Sequence, residues 1–274
     1  MIPISFWQIP LRLLDGTRLS DGTHVAFKIV RRSQNPEEVE IAKFLSSEVL
    51  QSDPSNHCVP IYDILPVPDD DDLVIMVMPL LRKYTSPALC TVGEAMECFR
   101  QIFEVTTVLA LPYQISYQST RAFSSCISIG SPTGKLFRNI LSFILKYCSS
   151  DCVRLNIMMD ASNLYIDPFH PVDQHMKRDF SGYARFKTRT ERPPRYYLID
   201  FGLSRRYAST VNALDLPVWG GDKQVPEFVE YDRPHNPFPT DVFYIGNAIK
   251  KDFLDVCSFF RHVITMIFSF ISKG

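Results

Sequence analysis

Glycine is scarce in this chain. Its 274 residues include only 11 glycines, and before Lys28 there are only Gly16 and Gly22. No G-x-G-x-x-G loop therefore precedes that lysine to wrap phosphates in backbone N–H groups. Paired cysteines are missing too. Cys58, Cys90, Cys98, Cys126, Cys148, Cys152 and Cys257 are odd in number, scattered and never in a C-x-x-C pair, which argues against a disulfide framework and a zinc site and for a reducing compartment. Neither sign of charge is in excess: 29 Lys and Arg face 30 Asp and Glu, so nothing chain-wide calls for nucleic acid or a membrane as partner. The apolar run from Val256 to Ile271 is too short for a span and holds Arg261 and His262. The start, Met1 to Trp7, lacks the basic and apolar regions of a secretory signal. From these absences we expect a soluble intracellular protein, cytoplasmic or nuclear.

What is present can fill a core. Hydrophobic residues make up 46% of the chain, enough to bury a sizeable interior and to build two lobes rather than one. Alternation through Thr23-His24-Val25-Ala26-Phe27-Lys28-Ile29-Val30, with Asp15-Gly16 and Asp21-Gly22 as turn signals, predicts a hairpin over residues 13 to 32. Pro36-Glu37-Glu38 opens a helix expected over 36 to 50. Asp69 to Asp72 read as a solvated tip, since clustered like charges favour water, and an apolar strand follows from Leu73 to Leu81. Val92, Ala95, Met96, Phe99, Ile102 and Phe103 recur at helical spacing, so 91 to 105 is expected to be helix. Leu109 to Gly134, rich in Ser, Thr, Pro and Gly, reads as loop. His170 and His175 lack the fixed spacing and nearby cysteine of a metal site.

Two short stretches carry the chemistry. Asp151-Cys152-Val153-Arg154-Leu155-Asn156 places an acid and an amide five apart, and Ile199-Asp200-Phe201-Gly202 adds a second acid before Phe-Gly. Such oxygen groups hold Mg²⁺ on a triphosphate and orient a hydroxyl. Each alone is commonplace. In order with Val25-Ala26-Phe27-Lys28, Pro226-Glu227 and Asp241-Val242-Phe243-Tyr244-Ile245-Gly246, they resemble the protein kinases. The resemblance covers roughly residues 11 to 105 and 151 to 254. With Asn56-His57-Cys58-Val59-Pro60 and Tyr196-Tyr197-Leu198 added, it is most similar to the kinase-like proteins numerous in mushroom-forming fungi.

That resemblance implies an α+β, bilobal kinase-like fold. A β-rich N-lobe without its glycine-rich loop would span 11 to 82, and a mainly helical, truncated C-lobe 83 to 254. The C-lobe would carry inserts at about 105 to 150, unless that stretch is unspliced sequence, and at about 161 to 195; an apolar tail, 255 to 274, would follow. It also implies ATP and Mg²⁺ as cofactors. Lys28 would hold the α and β phosphates with Glu40 orienting it, Asn156 and Asp200 would hold metal, and Asp151 would align a substrate hydroxyl of Ser, Thr or Tyr. Met78 would be the gatekeeper and Pro79 to Leu81 the hinge, where Leu81 offers both backbone groups to adenine and Pro79 only its carbonyl. The chain departs from the family pattern at Ser149-Ser150, where His-Arg is usual, and at Val153, where Lys is usual, with Arg154 beside it as a substitute cation. Two readings stay open: a phosphotransferase, and a pseudokinase that binds nucleotide or serves as a scaffold without catalysis. The protein substrate is unknown. From Lys177 to Arg206, nine Lys or Arg face three acidic residues; this is either a solvated loop or a docking patch for an acidic or phosphorylated partner.

Overall fold

The structure, a computed structural model, describes residues 13–108, 147–148, 152–207, 214–217, 224–225, 228–229 and 231–255. Asp151, Ser149, Ser150, Pro226, Glu227, residues 109–146 and the tail from 256 lie outside them. The described residues form a mixed α and β fold: one four-stranded sheet, two small sheets and a few helices.

Strands β1 (Leu13–Thr17) and β2 (His24–Arg31) pair antiparallel, with Leu13 opposite Lys28 and Thr17 opposite His24. This is the expected hairpin. Its turn is Asp21-Gly22, where Gly22 takes φ +73°, a left-handed value that costs glycine nothing because it has no Cβ. Asp15-Gly16, expected as a second turn, lies inside β1 instead. A Cβ on Gly16 would sit 2.5 Å from the Phe27 ring, so glycine there makes room for an aromatic across the strand pair.

Strand β3 (Asp63–Val67) and strand β4 (Asp70–Pro79) complete the sheet in the order β1-β2-β4-β3. The acidic tip is more structured than a free loop. Asp72 accepts from the Ser33 backbone N–H and hydroxyl, each at 2.7 Å, and from Arg31 at 2.9 Å. The single helix expected over 36 to 50 is two, α1 (Glu38–Leu45) and α2 (Glu48–Gln51). The break falls at Ser46-Ser47, where the Ser46 hydroxyl accepts from Ile61 N–H at 2.9 Å and Ser47 is extended with ψ 150°. The Ser46 hydroxyl is thus taken up by a distant backbone group, and Ser47 leaves the helical conformation.

Behind α1, Asn56 organises the return to the core. Its side-chain amide donates to the carbonyls of Leu45 at 2.9 Å and Leu50 at 3.0 Å, and its oxygen accepts from Cys58 N–H at 3.0 Å. One buried side chain thus satisfies the ends of two helices, whose last carbonyls have no partner within the helix.

The rest is built on β5 (Arg82–Lys83), helix α3 (Val92–Val108) and strands β6 (Tyr147–Cys148), β7 (Ile157–Asp160), β8 (Arg195–Leu198) and β9 (Arg205–Arg206). Helix α4 (Phe238–Ile249) continues into a π-helical turn, Lys250–Leu254. Strands β5, β7 and β8 form one small sheet, β6 and β9 another. Helix α3 is the one expected, and Gln101 locks it to β8 by accepting from Tyr196 N–H at 2.9 Å and donating to Pro194 at 3.2 Å. Phe253 meets the ring of Phe99 edge-on at 4.5 Å. No helix among the described residues is long and apolar enough to cross a membrane.

Replacing Asn56 by Ala strands the Cys58 N–H and takes one of two donors from each carbonyl, since Leu45 keeps the Gln51 side-chain amide at 3.3 Å and Leu50 keeps Asp53 N–H at 3.2 Å. A buried group left unmade costs about 1 kcal/mol or more. We expect Asn56→Ala to lower the urea midpoint by a loss of roughly 1 to 3 kcal/mol, with unchanged denaturant dependence. A loss below about 0.5 kcal/mol, the range of neutral surface changes, would refute this role.

Candidate functional site

Lys28 sits on the same face of the four-stranded sheet as Ala26, its neighbour two residues back. Ala26 is opposite Met78 and Lys28 opposite Met76 on β4, and directly opposed side chains of an antiparallel pair share a face. The strand pairing therefore sets the lysine two residues from Met78, near the end of β4. Met78 and Leu81 are both buried. Leu80 N–H is already used, donating to the His24 carbonyl at 3.2 Å.

The ammonium of Lys28 donates to two carboxylates. One is Glu38 at the start of α1; the other is Asp200 Oδ1 at 2.7 Å, 172 residues along the chain. Glu40, the residue expected to orient Lys28, does not reach it. Its side chain is 60% exposed and pairs with Lys43 at 3.2 Å, whereas the Glu38 side chain is fully buried. The reason is helical phase. Ile41, Ala42 and Leu45 lie three, four and seven residues after Glu38 and all four are buried, while Glu40 is displaced by about 200° around the helix from Glu38. The apolar stripe was readable in the sequence and would have pointed to Glu38.

Asp200 is placed from both sides of its chain. Leu198 N–H donates to the His57 carbonyl at 2.8 Å, Val59 N–H to the Leu198 carbonyl at 3.0 Å, and Ile199 N–H to the Asn156 carbonyl at 2.9 Å. The last bond puts the Asn156 backbone one residue from Asp200, so these two expected metal ligands are neighbours. Asp200 itself is left-handed, φ +63°, a conformation that short polar side chains tolerate best and that is found where surroundings enforce it. Its Oδ1 also accepts from Gly202 N–H at 3.1 Å. A Cβ at Gly202 would approach Asp200 Oδ1 to 3.1 Å and Glu38 Oε2 to 3.2 Å, so this glycine lets the backbone pass between two carboxylates. Phe201 is buried in the main core.

The carboxylates and the cation respond differently. Burial opposes the charge on Lys28, but Glu38 and Asp200 overcome it and raise its pKa. Burial also raises the Glu38 carboxyl, and Lys28 offsets this only in part. One ammonium is shared by two acids, so Lys28 is securely charged and Glu38 carries the desolvation.

The loop before β7 is held from below. Cys152 N–H donates to Asp241 Oδ1 at 3.4 Å, and Asp241 is completely buried on α4. Val153 is buried. Arg154, expected as a substitute cation, pairs with Asp252 at 3.3 Å, and Asp252 also accepts from the Tyr84 hydroxyl. Asp151 lies outside the described residues.

The basic stretch is largely satisfied within the chain. Arg185 pairs with Asp167 at 2.8 Å, Lys187 with Glu191 at 3.2 Å and Arg205 with Asp215 at 3.2 Å. Arg192 and Arg195 donate to backbone carbonyls of Asn163 and Asn56, and Arg189 is buried against Tyr196. A solvent-open groove lined in part by His57, Arg100, Glu104 and Arg195 shares no residue with the Lys28 cluster. Arg100 is paired there with Glu97 and Glu104.

Removing Lys28 leaves Glu38 buried without its cation. Lys28→Met should destabilise by about 3 to 5 kcal/mol near pH 8, the cost of an unpaired buried charge. As pH falls, the raised Glu38 carboxyl takes up its proton in the folded state first, so the penalty should shrink. Glu40→Gln should change stability by less than about 0.5 kcal/mol. Urea titrations of the three proteins between pH 5 and 8 check both statements, and a pH-independent Lys28→Met penalty would contradict the first.

No family model and no curated protein matches the chain. Among solved structures, the crystal structure of a kinase domain is similar at 14% identity and a TM-score of 0.40, covering 72% of this chain and 48% of that one. The chain thus spans about half the length of that neighbour.

Proposed function

We propose that this chain is a bilobal protein kinase-like protein that binds ATP with Mg²⁺ and transfers the γ-phosphoryl group to a Ser, Thr or Tyr hydroxyl of a protein. In its motifs it stands with the kinase-like proteins of mushroom-forming fungi. The observation that carries the reading is the convergence of Lys28, Glu38 and Asp200. An ammonium has three donors, and the two carboxylates use two of those of Lys28, which leaves one for a phosphate oxygen. The lysine is held charged and aimed before any ligand arrives, and preorganised charge of this kind stabilises a phosphoryl group in transfer.

The donor set fits the metal. Asp200 and Asn156 supply hard oxygen atoms, and Mg²⁺ is commonly held by one or two side chains plus substrate phosphates. No cluster of three or more His, Cys, Asp or Glu able to hold a metal by itself occurs among the described residues. When bound, Mg²⁺ neutralises the phosphate charge. Asp200 and Asn156 would hold it, and Met78 and Leu81 would border the adenine. Asp151 would align the substrate hydroxyl.

A second reading, binding without transfer, is favoured by Val153 and Arg154. The position two after Asp151 holds a buried apolar side chain, and the neighbouring guanidinium is engaged with Asp252. The loop is then short of a cation for the transferred group. An acidic or phosphorylated partner at residues 177 to 206 would have to compete with the internal partners of those arginines. Buried free thiols at Cys58, Cys98 and Cys152 suit an intracellular, reducing compartment.

Thermal unfolding with and without Mg-ATP tests the site. At ATP a hundredfold above its Kd, the parent should gain about 2.7 kcal/mol, and Asp200→Asn should gain little. A parent melt indifferent to Mg-ATP would overturn the nucleotide assignment. Transfer of labelled γ-phosphate to a protein acceptor separates the two readings. Asp151→Asn should abolish transfer while retaining the ATP-induced shift, whereas a parent that binds ATP and transfers nothing is the pseudokinase.

A further inference from the structure

The segment between Asp160 and Arg195 is rooted in the helical part by buried polar contacts. Glu94 of α3 is buried and accepts from Thr190 N–H at 3.0 Å and from its hydroxyl at 2.9 Å. Arg189, also buried, donates to the Tyr196 hydroxyl at 2.8 Å and to the Pro87 carbonyl. Within the segment itself, Lys187 N–H donates to the Leu164 carbonyl at 3.0 Å.

The same segment also reaches the four-stranded sheet. Its turn from Asp173 to Arg178 is closed by Met176 N–H on the Asp173 carbonyl at 3.0 Å and braced by Arg178 N–H on Pro168 at 2.9 Å. Four residues apart on this turn, two groups grip two different parts of the molecule. The Gln174 carbonyl accepts from Arg82 Nη1, and Arg178 Nη2 donates to Asp15 Oδ2 at 3.1 Å on β1.

Both targets border the candidate site. Arg82 follows Leu81 directly and is 1% exposed. Two further donors go to the Ser86 carbonyl at 2.9 Å and hydroxyl at 3.0 Å, and its guanidinium lies over the rings of Tyr165 and Phe169 at 5.0 and 5.1 Å. Asp15 is opposite Ala26, on the strand pair whose His24 carbonyl holds Leu80. A stiff turn thus joins the exit of β4 to the outer strand of the sheet that carries Lys28.

We propose that this turn is a strut that sets the angle between the four-stranded sheet and β5, with Arg178 and Arg82 as positioning residues for the ligand at Lys28. The positioning role rests on the nucleotide reading above; the strut itself does not. Because a part-exposed ion pair adds little to global stability, its effect is on local opening. Arg82, being buried, is a poor first variant; Arg178 and Asp15 are part-exposed and suit the test.

Hydrogen–deuterium exchange of the whole chain without nucleotide tests the strut. Arg178→Ala and Asp15→Asn should each speed exchange of residues 13–31 and of Leu80 roughly threefold, the scale of such a pair. The exchange of 195–198 should not change. The charge swap, Asp15→Arg with Arg178→Asp, should restore the parent pattern. Arg185→Ala, which breaks a pair inside the segment, should leave 13–31 as in the parent. Exchange in Arg178→Ala equal to the parent, or to Arg185→Ala, over 13–31 overturns the strut. With a fluorescent ATP analogue, the single variants should bind about threefold more weakly and the swap as the parent, the same pair free energy being lost. Equal affinity in all variants overturns the positioning role, and a parent that binds no analogue overturns the nucleotide reading and that role together, with the strut still decided by exchange.

Discussion

One ammonium shared between two carboxylates is the constraint around which this molecule is arranged. A buried ion pair adds little net stability, because desolvation offsets much of the attraction, yet breaking it leaves an uncompensated charge. Lys28, Glu38 and Asp200 therefore have to arrive together, from a strand, a helix start and a turn that are far apart in the chain. The alignments that deliver them are specific. The β1-β2 hairpin and its pairing with β4 orient the lysine, helical phase orients Glu38, and the bonds of residues 57 to 59 and 156 to the end of β8 present Asp200.

Backbone features elsewhere serve the same convergence. Gly202 passes between Asp200 and Glu38 where a Cβ would crowd both. Asp200 accepts a left-handed conformation, which costs of order 1 kcal/mol or more and persists where neighbours over-determine it. Asp241, buried on α4, holds Cys152, so the loop leading to Asn156 is fixed from the helical side as well.

The arginines of the basic stretch also have partners within the chain. Nine basic residues between 177 and 206 suggest an anionic partner, but many of them are used to cross-link an irregular segment. Arg189 meets a hydroxyl and a carbonyl, and Arg192 and Arg195 meet carbonyls. Arginine suits this use because its rigid fork of donors can satisfy several loop carbonyls at once, which a segment with little regular hydrogen bonding needs.

The sequence by itself determined what depends on near neighbours. Alternation and Gly22 set the hairpin, helical spacing set α3, and the order of Lys28, Asn156 and Asp200 pointed to the candidate site. Glu38 was within reach of the same reasoning, since it lies on the stripe with Ile41, Ala42 and Leu45, but counting along the chain favoured Glu40. The helix break at Ser46-Ser47 and the strand placement of Gly16 were not legible, because each answers to a group from another part of the chain, Ile61 N–H and the Phe27 ring. Only the tertiary structure decided which acid meets Lys28 across 172 residues, which partner each arginine takes, and that Arg178 touches Asp15. Charges and buried polar groups are settled by what long-range folding brings within a few ångströms, and local periodicity holds no record of that.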